Sequence, residues 1–473
     1  MKAQRVLVIA GCAALAACAN FSGIAPGARR LDLQTLNNGS LLEAGDGAAW
    51  PRESWWQDYR DAQLDTLVNQ LLDGNPDLRV AGARVTQAQG LATMRYGATL
   101  PQVQADGNIS RTYLTRQERS PSLSGSRTFW DSSILLDASY DLDIWGARRS
   151  ALASARDALQ ASEAERRAAQ LALTTVTVQS YVQLSAQYAL RDIAQANLER
   201  QQRILQIAQR RYTAGLGTRL DVDEAATGLS DALAQIEAIT EAIALQTHQL
   251  AALAGRGPGA GDSITRPMMK LEGPVRLPDS LPAELVGHRP DIVAQRWRVE
   301  SAAAEIKVAK AQFYPNINLA AFAGVSGLDI TRLLNGNSLT GGWGPALSLP
   351  VFNGGILRGN LRVQAASYDI AVESYNATVI GALQEVADRE VSLRSLQKQL
   401  ERTDDALESA LRAYALAEQG YRGGLVDYLD VLNAQAELLA EQRARALIVA
   451  EQFVAHAGLM KALGGGYRES SAP

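Results

Sequence analysis

The chain has 473 residues, 47% of them hydrophobic, with a formal net charge of −4 and only 6 Phe and 2 Cys. That acidic balance gives no footing for nucleic-acid binding, and apolar content carried by small and aliphatic side chains suits close helix packing rather than an aromatic core. Beyond the N-terminal stretch no run approaches the roughly 20 apolar residues of a transmembrane helix, so any membrane span must be β.

Lys2 and Arg5 precede an apolar stretch from Val6 to Leu15, and Leu15-Ala16-Ala17-Cys18 comes next. Basic, apolar, then small residues is the order of an export signal over residues 1–17. Leu-Ala-Ala-Cys resembles the bacterial lipoprotein signal, which implies cleavage before Cys18 and acylation of its sulfur and amine. Ala19, where an Asp would retain the protein at the inner membrane, implies outer-membrane delivery. Loss of Lys2 and Arg5 with the signal moves the formal charge from −4 to −6. Cys12 leaves too, so the mature chain has no partner for a disulfide, and packing alone must hold it together.

An internal repeat organises the mature chain. GNPDLRVAGARVTQAQ from Gly74 aligns with HRPDIVAQRWRVESAA from His288 at an offset of 214, and Pro101 aligns with Pro315 at the same offset. DLDIWGARR matches LPVFNGGILR at an offset near 207, and Tyr212 matches Tyr421 at 209. After an N-terminal segment, 18–63, the pattern predicts repeat 1 over 64–255, a linker over 256–280, repeat 2 over 279–463 and a tail over 464–473.

Within repeat 1, Asn75-Pro76 starts a helix over 76–98, with Asn as cap and Pro in the first turn. Strands are predicted over about 101–114 and 130–145, because polar and apolar residues alternate there. In the first, Gln102, Gln104, Asp106, Asn108, Ser110 and Thr112 form a polar face. In the second, Trp130, Ile134, Leu136, Ala138, Tyr140, Leu142 and Ile144 form an apolar face opposite Asp131, Asp137, Asp141 and Asp143. Arg111 falls on the apolar side of the first strand.

Residues 148–214 contain neither Pro nor Gly, and as one helix they would span about 100 Å. Seam residues such as Val178, Tyr181, Leu184 and Tyr188 are spaced by threes and fours. A return helix over 219–254 and the early helix 76–98, stacked end to end, approach the length of the long one. Repeat 2 predicts the same series: a helix over 290–312, strands over about 315–326 and 342–352, and helices over 357–421 and 428–463.

The phrases RRYTAGLGTRLDV, 210–222, and QGYRGGLVDYLDV, 419–431, mark the two hairpin tips. Gly215 and Gly424 suit the left-handed conformation past a helix end. Thr218 and Asp427 can cap the next helix, and Asp221 and Asp430 suit its positive end. Four strands cannot close a barrel, and open edges are not tolerated in lipid, so several chains must close it together. Two chains would give a filled barrel of eight strands, whereas three would give twelve and room for a lumen.

The lipoprotein signal, duplicated Pro-Asp helix starts, paired strands before a long helix, and Tyr-x-x-Gly…Leu-Asp-Val tips together resemble the TolC-like outer-membrane efflux channels, lipoprotein subgroup. The resemblance implies a mainly α fold with a small β part: a homotrimer with a 12-strand barrel in the outer membrane, continued by a long periplasmic α-helical barrel. Residues 19–63, the linker and the tail would form an equatorial belt. It further implies a passive duct for drugs or toxic small molecules, served by a periplasmic membrane-fusion adaptor and an inner-membrane efflux pump. Tyr212, Asp221, Asp223, Tyr421, Arg422, Asp427, Leu429 and Asp430 would stand at the periplasmic mouth, with Tyr421 or Arg422 making the contact that holds it closed. Asn433 occupies a position where some relatives carry an acidic constriction residue. Aspartates on the strands' polar faces would keep the lumen hydrated.

Enzyme readings find little support. His248, His288 and His456 have no ligand-like spacing, and GRGPGA, 255–260, comes after a helix rather than a strand, so no metal or cofactor is expected beyond the lipid on Cys18. A protein-secretion exit duct and a pore-free structural lipoprotein are the alternatives.

Overall fold

The computed structural model describes residues 21–32, 49–113, 128–270, 287–329, 331, 333 and 335–469. Cys18 and the strand-connecting loop 115–127 lie outside them. In chain order come α1 (Ala62–Gly74), α2 (Pro76–Gly97), β1 (Gln102–Tyr113), β2 (Thr128–Asp141), α3 (Ala147–Thr213), α4 (Arg219–Leu253), α5 (Pro290–Ala311), β3 (Asn316–Gly327), β4 (Leu339–Ser348), α6 (Ile356–Gly423) and α7 (Tyr428–Ala462). The chain divides into two units, formed by the described parts of 1–30, 84–163 and 294–376, and of 31–83, 164–293 and 377–473.

The first unit holds one antiparallel sheet in the order β1-β2-β3-β4, so β1 and β4 are each paired on one side only. Register sorts the faces: Ala105 pairs with Leu136, which pairs with Ala323, while Gln104 pairs with Asp137, which pairs with Phe322. Odd residues of β1 and β3 and even residues of β2 therefore share the apolar face. Trp130 and Tyr140 stand on it ten residues apart, about 34 Å along the strand and about 25 Å once tilted, the height of the apolar band of an outer-membrane barrel. Arg111 pairs in register with Trp130 and its guanidinium lies 5.6 Å from the indole centroid. The charge on the otherwise apolar face is thus set against a large aromatic ring near the start of β2.

Two strand ends differ from expectation. β2 stops at Asp141, so Leu142, Asp143 and Ile144 are not strand residues. Asp143 turns left-handed, φ 44°, and its carboxylate accepts from the backbone N–H groups of Arg148 and Arg149, capping α3. The free N–H groups of a helix start outcompete alternation there. β4 runs from Leu339 to Ser348 rather than over 342–352. Pro350 cannot donate to a ladder, and Gly354 and Gly355 turn the chain with positive φ.

In the second unit α1, which the repeat alignment does not suggest, buries Leu64, Leu67, Val68 and Leu71 along one stripe. Asp61 caps it, accepting from the N–H groups of Gln63 and Leu64, and also accepts from the Tyr181 hydroxyl and the Met268 N–H. One buried carboxylate thereby joins the N-terminal segment, the long helix and the stretch after α4. Trp55, Tyr59, Val178, Tyr181, Leu184 and Leu250 form the core around it.

Tyr59 and His456 meet in that core, hydroxyl to Nδ1 at 2.8 Å. Burial pushes the imidazole pKa down to about 4, opposed by the Asp58 carboxylate. The folded state therefore resists a proton that the unfolded chain accepts near pH 6.5, and stability falls as pH drops from there towards 4, by about 3 kcal/mol in total. Thermal unfolding in detergent should show this decline, and His456→Gln should flatten it across that window. Identical pH slopes for the two proteins would contradict the assignment.

The short helices join end to end within this unit. Asn75 donates its amide Nδ2–H to the carbonyl of Leu253, at the end of α4, while its Oδ1 accepts from Asp77 and Leu78 at the start of α2. At the equivalent position of repeat 2, Arg289 donates to the carbonyl of Ala462, at the end of α7, and grips Asp291 at the start of α5 and Glu385 of α6. Desolvation of this buried guanidinium is outweighed by its two carboxylate partners, which raise its pKa. Gly255 and Gly464, 209 residues apart, hold φ of 72° and 85° at the two joints. A Cβ on them would lie 2.2 Å from the Gly74 carbonyl oxygen and 1.8 Å from that of His288.

Candidate functional site at the helix tips

Both tips are built alike. Gly215 and Gly424 stand just past the ends of α3 and α6, with φ of 73° and 75°. The amides of Leu216 and Leu425 then return to the carbonyls of Arg211 and Gly420, which closes each helix end with a Schellman-type turn. Thr218 and Asp221 form a reciprocal capping box at α4, and Asp427 and Asp430 form one at α7. Three of the tip aspartates are thus occupied by backbone amides. Asp223 pairs with Arg219 one turn away at 3.1 Å.

Tyr421 and Arg422, adjacent in sequence, stand in different surroundings. Arg422 binds Glu418 on its own helix at 2.7 Å. Tyr421 is buried, 2% exposed, in a cluster with Ile204, Ala208, Ala225, Tyr414, Tyr428 and Val431. Its ring packs on Tyr428 at 5.7 Å, and neither hydroxyl has a hydrogen-bond partner among the described residues. Burial raises both phenols, with Asp221 adding to it, and Tyr428 is pushed up to about 12. Both are neutral at any physiological pH.

The residue that joins the tips is Arg211, which motif reading passes over. Its guanidinium lies 4.7 Å from the Tyr421 ring centroid, and it donates to the carbonyls of Tyr421 at 2.8 Å and Leu216 at 3.1 Å. One side chain thus holds its own tip turn and the end of α6 together. A basic residue in the last helical turn was the available signal, but such residues usually serve only the helix dipole.

Outside this clamp the tips present Tyr212, Leu216 and Leu220 from the first and Leu425 and Leu429 from the second, all exposed. Asn433 is exposed one turn into α7. The two tips therefore offer paired leucines at equivalent positions, an apolar patch of the kind that marks interaction surfaces.

The profile of the outer membrane efflux protein family matches residues 67–256 and 281–465, the two repeats in turn. The chain belongs to that family. It is similar to the fusaric acid resistance protein FusA of Burkholderia cepacia, 43% identical over 361 residues that make up 73% of this chain and 66% of that protein. It is also similar to the pyoverdine export outer membrane protein OpmQ of Pseudomonas aeruginosa, 31% identical across 99% of this chain and 98% of the relative. Among solved structures, the outer membrane protein VceC of Vibrio cholerae matches with a TM-score of 0.84 and 35% identity, covering 88% of this chain and 100% of that one. The chain is an outer-membrane efflux channel, mainly helical with a small β part, and the family and these relatives are transport proteins.

Proposed function

We propose that three copies of this chain close a twelve-stranded barrel in the outer membrane and form the passive exit duct of a tripartite efflux system. The observation that carries this reading is the four-stranded sheet with β1 and β4 each unpaired on one side, apolar on one face and polar on the other. Lipid tolerates no open edge, so identical copies must supply the missing partners, and at least three are needed to leave a lumen. The helices then extend through the periplasm to the clamped tips, where the exposed leucine pairs suit the helical hairpins of an adaptor that is itself coupled to an inner-membrane pump. The cargo class is small toxic or exported organic molecules, in keeping with the names of the relatives.

Acylated Cys18 anchors the mature chain, so Cys18→Ser should abolish palmitate labelling while the sheet still inserts; labelling that persists would contradict the assignment. The duct itself is tested by reconstituting the acylated protein in planar bilayers. Discrete conductance steps are expected, and a membrane that stays silent at every protein concentration would overturn the reading.

A further inference from the structure

On the polar face of the sheet the two repeats differ in chemistry. β1 and β2 place Asp106, Asp131 and Asp137 there, whereas β3 and β4 place Ala320, Phe322, Gly342, Gly344 and Ala346 among small polar residues. Phe322 and Leu135 are large apolar residues on a face that otherwise carries mostly polar and small side chains. The Phe322 ring lies over Gly342, whose added Cβ would come within 3.0 Å of the ring edge, while Gly344 opens onto free space. Beside the ring lies a recess of about 460 Å³ bounded by Gln104, Asp137, Phe322, Gly342 and Gly344. Asp137 and Phe322 are direct partners across the β2–β3 ladder, and no cation pairs with Asp137 among the described residues.

We infer that this recess is a transit site for aromatic organic cations inside the barrel. The inference rests on the duct reading, which makes the polar face the lumen. An aromatic body lies against the Phe322 ring in the space that glycine leaves, and a positive centre is held between the ring face and the Asp137 carboxylate. Gln104, in register beside Asp137, offers an amide oxygen as a further acceptor. A cation without an aromatic body gains only the carboxylate, and an aromatic anion is repelled by it. Three such recesses would alternate with three acidic stripes around the wall, so a cargo molecule could pass from one to the next without entering bulk water.

The test is current block in planar bilayers, with tetraphenylphosphonium added on the side of the sheet. Tetraethylammonium and benzenesulfonate serve as the non-aromatic cation and the aromatic anion, and block is read relative to each variant's own open current. Tetraphenylphosphonium should block at a concentration about tenfold lower than either control, and Phe322→Ala or Asp137→Asn should each raise its half-blocking concentration about tenfold. Phe322→Trp should restore block, and Asp137→Glu should do so in part. Wild-type channels that conduct normally but respond alike to all three ions, or that keep their block in both variants, would overturn the site and leave the duct standing. A wild-type protein with no conductance would remove the duct and this inference together.

Discussion

Gly464→Ala is expected to lower stability by about 2–4 kcal/mol, enough to deplete assembled protein from membranes. The new Cβ would lie 1.8 Å from the carbonyl oxygen of His288, and the residue holds φ 85°, which a side chain resists. Neither partner can yield, because both are backbone at the joint where α7 meets α5, a joint that Arg289 also bonds. Gly255→Ala should act in the same direction at the α4–α2 joint, with its Cβ 2.2 Å from the Gly74 oxygen. Gly257→Ala, two residues on, meets nothing within 4 Å and has no positive φ, so it should be silent. Urea unfolding of the detergent-solubilised protein, with membrane yield alongside, reads all three. Equal midpoints for Gly464→Ala and Gly257→Ala would show that the joints do not bear the strain assigned to them.

Arg211→Ala is expected to raise single-channel conductance several-fold by releasing the tip. The substitution removes the stacking on Tyr421 and the guanidinium bonds to the carbonyls of Tyr421, which keeps only the Gly424 N–H, and Leu216, a loss of about 2–3 kcal/mol from the clamped arrangement. Arg211→Lys should rescue only in part, since an ammonium cannot stack and reach two carbonyls with a planar fork. Tyr421→Phe offers the contrast. It keeps the ring and deletes a buried hydroxyl that lacks a partner, so the clamp should hold or tighten and conductance should not rise. If Tyr421→Phe opened the channel and Arg211→Ala did not, the contact between the tips would have been misassigned.

Much of the architecture was legible because it is periodic and written twice. The stretch 148–214, free of Pro and Gly, became a helix of 67 residues from Ala147 to Thr213, and the alternation in each repeat became two paired strands. The tips were legible for a local reason: a glycine past the helix end followed by Thr-x-x-Asp or Asp-x-x-Asp is complete within a few residues. The joints between short helices were not legible. Asn75 and Arg289 align at the offset of 214, yet one acts as an amide cap and the other as a buried guanidinium clamp, so residue type hides a shared role. The three glycines 464–466 read as part of a tail, although His288, Leu171 and Arg52 press on them from distant segments. Arg211 shows the same limit, since its value lies in Tyr421, 210 residues away. The stripe Leu64, Leu67, Val68, Leu71 of α1 was visible as a period, but nothing in the repeat alignment prompts it.

One chain leaves its sheet open at both edges, and the duct depends on how many copies seal it. Native mass spectrometry of the protein released from outer-membrane extracts counts those copies directly. Three chains per particle, with β signal in circular dichroism, is the predicted result; a single chain, or a pair whose eight strands would fill their own interior, would contradict it.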